Sequence, residues 1–327
     1  MKYTTPLKKC AAWLLAFAAL LAFGSTAARA QAKYPHEPIR VVVPFGPGGL
    51  ADISMRIVAK KLSERLGQQV IVENRPGAGG VVAANTVLAA PHDGYTLMFF
   101  ANGTAIAKTL FKLPFDPVTD FVPISTVAYF DLVLVTRGDG PLHTIADVKA
   151  AALKKPLLLG TINPGSTQNL SAELFKSKAG IAATIVPYRS TPEVLIGLVR
   201  GDVDVGFESY AALKGPITSG QLRAIAVTGR KRAPWLPKVP TVRESGVPDY
   251  DVTGWNALFA PANTPPAVVQ LLNREVNAVL KMPDVKNKLL ALGTLAKGST
   301  SAQLGAIFRS DIAKWAAVIK QAGIKTQ

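Results

Sequence analysis

Residues 39–52 read IRVVVPFGPGGLAD. The opening apolar run is of the kind found in strands buried on both faces, and it breaks at Pro44 into a glycine-rich turn. Leu50, Ile53, Ile57, Leu62 and Leu66 then recur at helical spacing. Arg56, Lys60, Lys61, Glu64 and Arg65 fill the other face, and Gly67 supplies a helix stop. The same order continues with a strand at 69–73 (QVIVE), a second glycine turn at 74–80 (NRPGAGG), a helix at 81–90 (VVAANTVLAA), a PHDG turn and a third strand at 95–100 (YTLMFF). Strands and helices alternating through short connections predict a parallel sheet wound in the right-handed sense.

The arrangement starts again downstream. PLLLG (156–160), ATIVPY (183–188), DVDVGF (202–207) and LRAIAVT (222–228) read as strands, with helices at 166–180 and 192–201 between the first three. Two extended stretches without helical period, DFVPISTVAYFDLVLVTR (120–137) and YDVTGWNALFAP (250–261), lie on either side of this second unit. Three helices close the chain, the last with Leu304, Ile307, Phe308, Ile312, Trp315 and Ile319 on one face. The expectation is an α/β protein of two lobes, each a parallel or mixed sheet with flanking helices, joined by a two-strand hinge. Lobe 1 comprises residues 31–130 and 256–327, and lobe 2 residues 131–255. Open α/β sheets bind ligands beyond the carboxyl ends of their strands, so the cleft gathers the loops FGPGGLAD, NRPGAGG, ANGT, TINPGSTQN, YRST and FESY.

The first 30 residues carry Lys2, Lys8 and Lys9, an uncharged apolar run from Ala11 to Phe23 and an Ala28-Arg29-Ala30 cleavage signal. A run of about a dozen apolar residues is shorter than the roughly 20 that span a bilayer, so the segment reads as an export signal cut after Ala30, placing the mature chain in the periplasm. The single cysteine, Cys10, leaves with it, and with it go disulfides, thiol nucleophiles and cysteine metal sites. The formal charge is +16, of which Lys2, Lys8, Lys9 and Arg29 contribute four, leaving +12 on the mature chain. The basic residues are dispersed among acidic ones with no run of five like charges, a solvated surface and not a nucleic-acid footprint. A positive field still draws in anionic ligands.

Gly46, Gly48 and Ala51 match the G-x-G-x-x-G/A turn of dinucleotide folds. Pro47 stiffens that turn, and Glu73 stands 27 residues after Gly46 where a ribose-binding acid stands at about 20. A plainer reading keeps the physics and changes the ligand: helix N-termini and glycine backbone hold a small carboxylate. Three such turns open helices, at Gly48-Gly49, Gly79-Gly80 and Gly165-Ser166. Catalytic signatures are missing: there is no G-x-S-x-G elbow and no H-E-x-x-H pair. His36, His92 and His143 sit alone in turn-like contexts and read as solvated, so neither a metal nor a cofactor is expected. Tyr188, Tyr210 and Trp255 fit either the lining of a cleft or the core, and core is the safer reading for any one of them.

The stretches YPHEPIRVVVPFGPGGLADI, VIVENRPGAGG, PHDGYTLMF, LPFDPVTDFVPIS, IVPYR, GDVDVGF, LRAIAVTGRKRAPWLPKVPTVRESG and NALFAPANTPPAVV together resemble the extracytoplasmic receptors of tripartite tricarboxylate transporters, the Bug family, over the whole mature chain. The resemblance implies a two-lobed periplasmic binding protein of type II-like architecture without catalytic activity. It implies a small-molecule carboxylate ligand (di- or tricarboxylate, acidic amino acid or aromatic acid) and membrane permease subunits as partners. It also implies that the first loop (Phe45, Gly46, Pro47, Gly48, Gly49, Ala51, Asp52) and the helix start at Ser166 and Thr167 contact the ligand. The other cleft loops add Asn102, Gly103 and Thr104, Arg189, Ser190 and Thr191, and Glu208 and Ser209. No nucleic-acid partner is expected, and the protein reads as a monomer. Departures fall on these loops: Ala51 stands where the family commonly has Thr, Asn169 for His, Ser190 and Thr191 for a glycine pair, Glu208 for Asp and Ser209 for Asn. Tyr129 and Phe130 add aromatic surface beside the first crossing, which favours a bulky carboxylate. An exported NAD(P)-dependent oxidoreductase and a carboxylate sensor signalling to a membrane partner are the competing readings.

Overall fold

A computed structural model describes residues 34–77 and 80–325. The proposed export signal and Gly79 lie outside the described residues. In chain order the strands are β1 (Ile39–Val43), β2 (Val70–Asn74), β3 (Thr96–Ala101), β4 (Phe121–Arg137), β5 (Leu157–Ile162), β6 (Ala183–Tyr188), β7 (Val205–Ser209), β8 (Leu222–Val227), β9 (Thr253–Pro261) and β10 (Thr294–Ala296). The helices are α1 (Leu50–Leu66), α2 (Val81–Leu88), α3 (Asn102–Leu110), α4 (Ile145–Ala152), α5 (Thr167–Ala179), α6 (Thr191–Arg200), α7 (Tyr210–Thr218), α8 (Pro266–Lys281), α9 (Pro283–Ala291) and α10 (Ser301–Gln321).

One long strand organises the molecule. Phe121–Asp131 of β4 pairs antiparallel with β9, which in turn pairs with β3 and leads on to the parallel strands β1 and β2. At Leu132 the partners change, and the rest of β4 pairs antiparallel with β7 on one edge and β8 on the other. β7 leads on to the parallel strands β5 and β6. The burial pattern of β4 records the change: Ile124–Ala128 and Leu132–Thr136 are buried, whereas Tyr129, Phe130 and Asp131 between them are only half-buried. The chain returns at Val252, whose N–H donates to the Thr228 carbonyl just before β9 begins.

The parallel strands arise where the sequence pattern placed them, but β2 is an edge strand with Ile71 exposed, not a fully buried one. An apolar run alone does not distinguish an edge from a centre, because burial is set by what covers it. The stretches ANGT and FESY, expected as loops, are the first residues of α3 and the end of β7 running into α7. On one side of the first half-sheet Phe100, Phe121, Phe259 and Phe308 form an aromatic cluster with ring centroids 4.9–6.2 Å apart. Each buried ring there stabilises the fold by about 2–3 kcal/mol. α10 brings Phe308 and Trp315 to this side, and a capping box between Thr300 and Gln303 fixes its start.

Candidate functional site

The helix-opening ends of both half-sheets meet in one region, and the first loop shows how its backbone is fixed. Gly48 has φ +81°, a left-handed conformation suited to glycine. Its N–H donates to Asp52 Oδ2 at 2.9 Å, while Asp52 Oδ1 accepts from Arg56 Nε and Asn74 Nδ2, both at 2.9 Å. Asn74 also donates to the Phe45 carbonyl at 3.0 Å. Burial opposes ionisation of Asp52, but the bonds from Arg56, Gly48 and Asn74 outweigh it and hold its carboxyl below the usual range. Asp52 is thus used in ordering the loop, while Phe45, Gly46, Pro47, Gly48 and Gly49 stay exposed and Ala51 half-buried. Gly49 is the N-cap of α1 with no side chain capping it.

At the carboxyl end of β3, the strand next to β1, Asn102 at the start of α3 accepts through Oδ1 from Thr167 Oγ1 at the start of α5, 3.1 Å away. Both side chains are buried, as is Thr104, while Gly103 is half-buried; Asn102 Nδ2 has no protein partner. Two helix N-termini from different half-sheets therefore meet at one bond. Ser166 caps α5 by accepting from the Asn169 N–H at 3.1 Å. Asn169 ties down the turn through Gly165 N–H (3.2 Å) and Thr161 Oγ1 (3.3 Å). The halves also touch at Gly293, where an added Cβ would lie 2.7 Å from Tyr210 Cβ.

Glu208, the last residue but one of β7, is almost fully buried and accepts from Thr191 Oγ1 (2.9 Å), Ser209 N–H (3.1 Å) and Gln168 Nε2 (3.4 Å). Burial pushes its carboxyl up against these three bonds. It joins the starts of α5, α6 and α7, and Ser190 and Ser209 are the N-caps of the latter two. Arg189 is exposed, its N–H bonded to Glu193.

Other sequence readings land elsewhere. His92 and His143 are not simply solvated: His92 Nδ1 meets the Ala262 carbonyl at 2.6 Å, and His143 meets the Gly140 carbonyl and Arg223. Tyr188 and Tyr210 are half-buried and only Trp255 is full core. Phe130 packs on Gly254 and Tyr129 lies under Lys297. Glu73, the residue at a ribose-binding position, is engaged by Arg40 and Arg75. No cluster of three metal-ligating side chains occurs among the described residues. A groove of about 250 Å³ between α1 and α9 has Lys60 and Lys288 on its walls and reaches Arg56, the partner of Asp52. The sequence reading passed over Ser54 and Asn256, buried polar residues whose only signal is a polar side chain at an apolar position.

Comparison with known proteins matches residues 54–324 to the tripartite tricarboxylate transporter family receptor. Protein BugT of Bordetella pertussis is 35% identical over 299 residues, covering 89% of this chain and 91% of its own. Rpa4515 of R. palustris, solved with adipate, superposes with a TM-score of 0.82 at 34% identity, covering 89% of this chain and 99% of its own. MatC of Rhodopseudomonas palustris, solved with bound malate, gives 0.76 at 31% identity, covering 88% and 100%. The mixed α/β architecture around β4 is that of the two-lobed periplasmic binding proteins. Uninterrupted similarity from α1 to the C-terminal helix, in sequence and in fold, has one reading: this chain belongs to the tripartite tricarboxylate transporter receptor family.

Proposed function

We propose that the protein is an extracytoplasmic receptor that captures a small carboxylate between its lobes and delivers it, unaltered, to the membrane permease subunits of a tripartite transporter. The observation that carries this is the meeting of α3 and α5 at the Thr167–Asn102 bond, beside the exposed Gly46–Gly49 loop that opens α1. Helix N-termini present N–H donors and partial positive charge to an anion. In this reading Gly46–Gly49, Ala51, Gly103, Ser166, Thr167, Ser190 and Ser209 approach the ligand, and Asp52 and Glu208 position the loops that do. The lobes are residues 31–130 with 256–327, and 131–255; the partner exchange of β4 at Asp131 and Leu132 supports that division. Adipate and malate in the related structures support the ligand class. Export with cleavage after Ala30, a periplasmic location and a monomeric state complete the proposal.

The test is a thermal-shift screen of the processed protein, refolded from denaturant to strip retained ligand, against aliphatic and aromatic carboxylates, citrate, acidic amino acids and NAD. Stabilisation by a carboxylate class, growing with concentration and with the ligand recovered intact, is expected; at about 100 times Kd it amounts to roughly 2.7 kcal/mol. Stabilisation by NAD alone, or recovery of a converted product, overturns the proposal.

A further inference from the structure

The groove between α1 and α9 has an apolar floor and a cationic rim. Ile53, Ile57 and Lys61 recur at four-residue spacing on one stripe of α1, and Val285 of α9 closes the floor from the other side. Val285 is fully buried and both isoleucines are half-buried, whereas Arg56, Lys60 and Lys288 stand exposed along the edges. Four cations thus line the groove against one carboxylate, that of Asp284. Lys61 already engages Asp284 at 3.7 Å and Glu64 at 2.8 Å. Lys60 and Lys288 have no side-chain partner among the described residues. At about 250 Å³ the groove has room for one or two apolar side chains and not for a whole helix. Its position adds a second constraint. Arg56 bonds Asp52, which accepts from the Gly48 N–H, so an occupant of the groove borders the loop that opens α1.

We propose that this groove is the docking site for an acidic segment of a protein partner. Carboxylates of the segment meet Lys60 and Lys288, and its apolar side chain enters between Ile53, Ile57 and Val285. The choice of partner rests on the receptor reading above, in which the segment belongs to the membrane subunits. Charge complementarity carries the commitment: an uncompensated cationic rim draws an acidic partner and repels a basic one. The apolar floor gives a free small anion nothing to bond, and a concave groove one side chain wide is not the amphipathic helix face that lies on a lipid surface. A partner carboxylate beside Arg56 competes with Asp52 for the same guanidinium, which gives the docked segment a route to the ligand loop.

The experiment is a fluorescence-anisotropy titration of the purified processed protein with three labelled hexapeptides. One has leucine and phenylalanine flanked by acidic pairs, one has serines in place of those two residues, and one has lysines in place of the acids. The first is expected to bind about tenfold more tightly than either of the others, and to weaken as salt rises from about 0.05 M to about 0.5 M. Lys60→Glu with Lys288→Glu should weaken it about tenfold or more. Lys281→Glu with Lys286→Glu makes the same change in net charge at exposed positions that do not line the groove, and should leave the affinity within about twofold. All four lysines are exposed, so both double variants retain the fold, which their melting temperatures check. Absence of binding, equal binding of all three peptides, or equal loss in the two double variants overturns the inference. So does binding to phosphatidylglycerol vesicles that only the groove variant abolishes while the peptides are ignored, which assigns the face to a lipid surface. The titration needs no carboxylate ligand and so fails separately from the thermal-shift screen. Peptide docking without any carboxylate response upholds the groove and removes the membrane subunits as its partner.

Discussion

At the scale of single residues, the acids of this protein divide by what satisfies them. Asp52 has three donors and lies low; its stabilising contribution is present above the ordinary carboxylate value of 3.8 and is lost as pH falls through its own lower value. Asp52→Asn puts an amide in front of donors and is expected to lower stability at pH 7 by about 2 kcal/mol. The carboxylate response in thermal shift should fall with it, and an unchanged melting temperature would detach Asp52 from the loop. Asp131 is the opposite case. Burial, with the nearby Asp251 charge adding to it against one bond from Thr253, pushes its carboxyl up to about 6. The folded state keeps a proton that the unfolded state releases, so stability falls as pH rises from 3.8 to about 6 and stays reduced above. Asp131→Asn is therefore expected to be more stable than the parent at pH 7.5, on the order of 2 kcal/mol, with the gain gone near pH 3.5. Urea denaturation at both pH values checks it, and a loss at pH 7.5 would contradict the sign.

At the scale of elements, the strands of the parallel units were legible because buried strands leave continuous apolar runs, and the capped helices because glycine and proline mark their ends. α4 was not read although a Thr144–Asp147 capping box marks its start, and α3 and α7 were not legible. Their first turns, Asn102-Gly103-Thr104 and Tyr210-Ala211-Ala212, follow a strand without a break, and the N-caps Ala101 and Ser209 make no side-chain cap bond. Tertiary packing, not local propensity, makes them helical. The candidate loops could be picked out from the sequence, and Gly49 and Gly48 show where sequence reading stops. Both look like turn glycines, yet Gly49 has φ −77° and only the Gly46 carbonyl within 4 Å of an added Cβ, whereas Gly48 has φ +81°. Gly49→Leu is thus expected to keep stability within about 0.5 kcal/mol and to abolish the ligand's thermal shift. Gly48→Leu should cost about 1 kcal/mol or more of stability by itself. Calorimetric melting with and without ligand separates the two, and normal affinity in Gly49→Leu would put the site elsewhere.

At the scale of the whole molecule, the proposed lobe division places the hinge at Tyr129–Asp131 and the return at Val252 and Thr253, where β4 is half-buried between two buried runs. In the proposed reading, closure about that axis brings surfaces of the two lobes together, and Gly293 lies against Tyr210 across the division. A Cβ there would lie 2.7 Å from Tyr210 Cβ, an atom fixed to α7 that no rotamer change moves away. Gly293→Ala acts as a wedge between the lobes, but it also places alanine at φ +74°. Gly220→Ala carries the same φ of +74° with nothing within 4 Å of the added carbon, so it reproduces the backbone strain without the wedge. If closure is what holds the ligand, both variants lose similar stability, and only Gly293→Ala shows a larger radius of gyration by X-ray scattering with ligand present. An opening bias of about 1.4 kcal/mol weakens binding about tenfold. Equal affinities in the two variants would mean that the lobes do not need to meet at Gly293 for the ligand to be held.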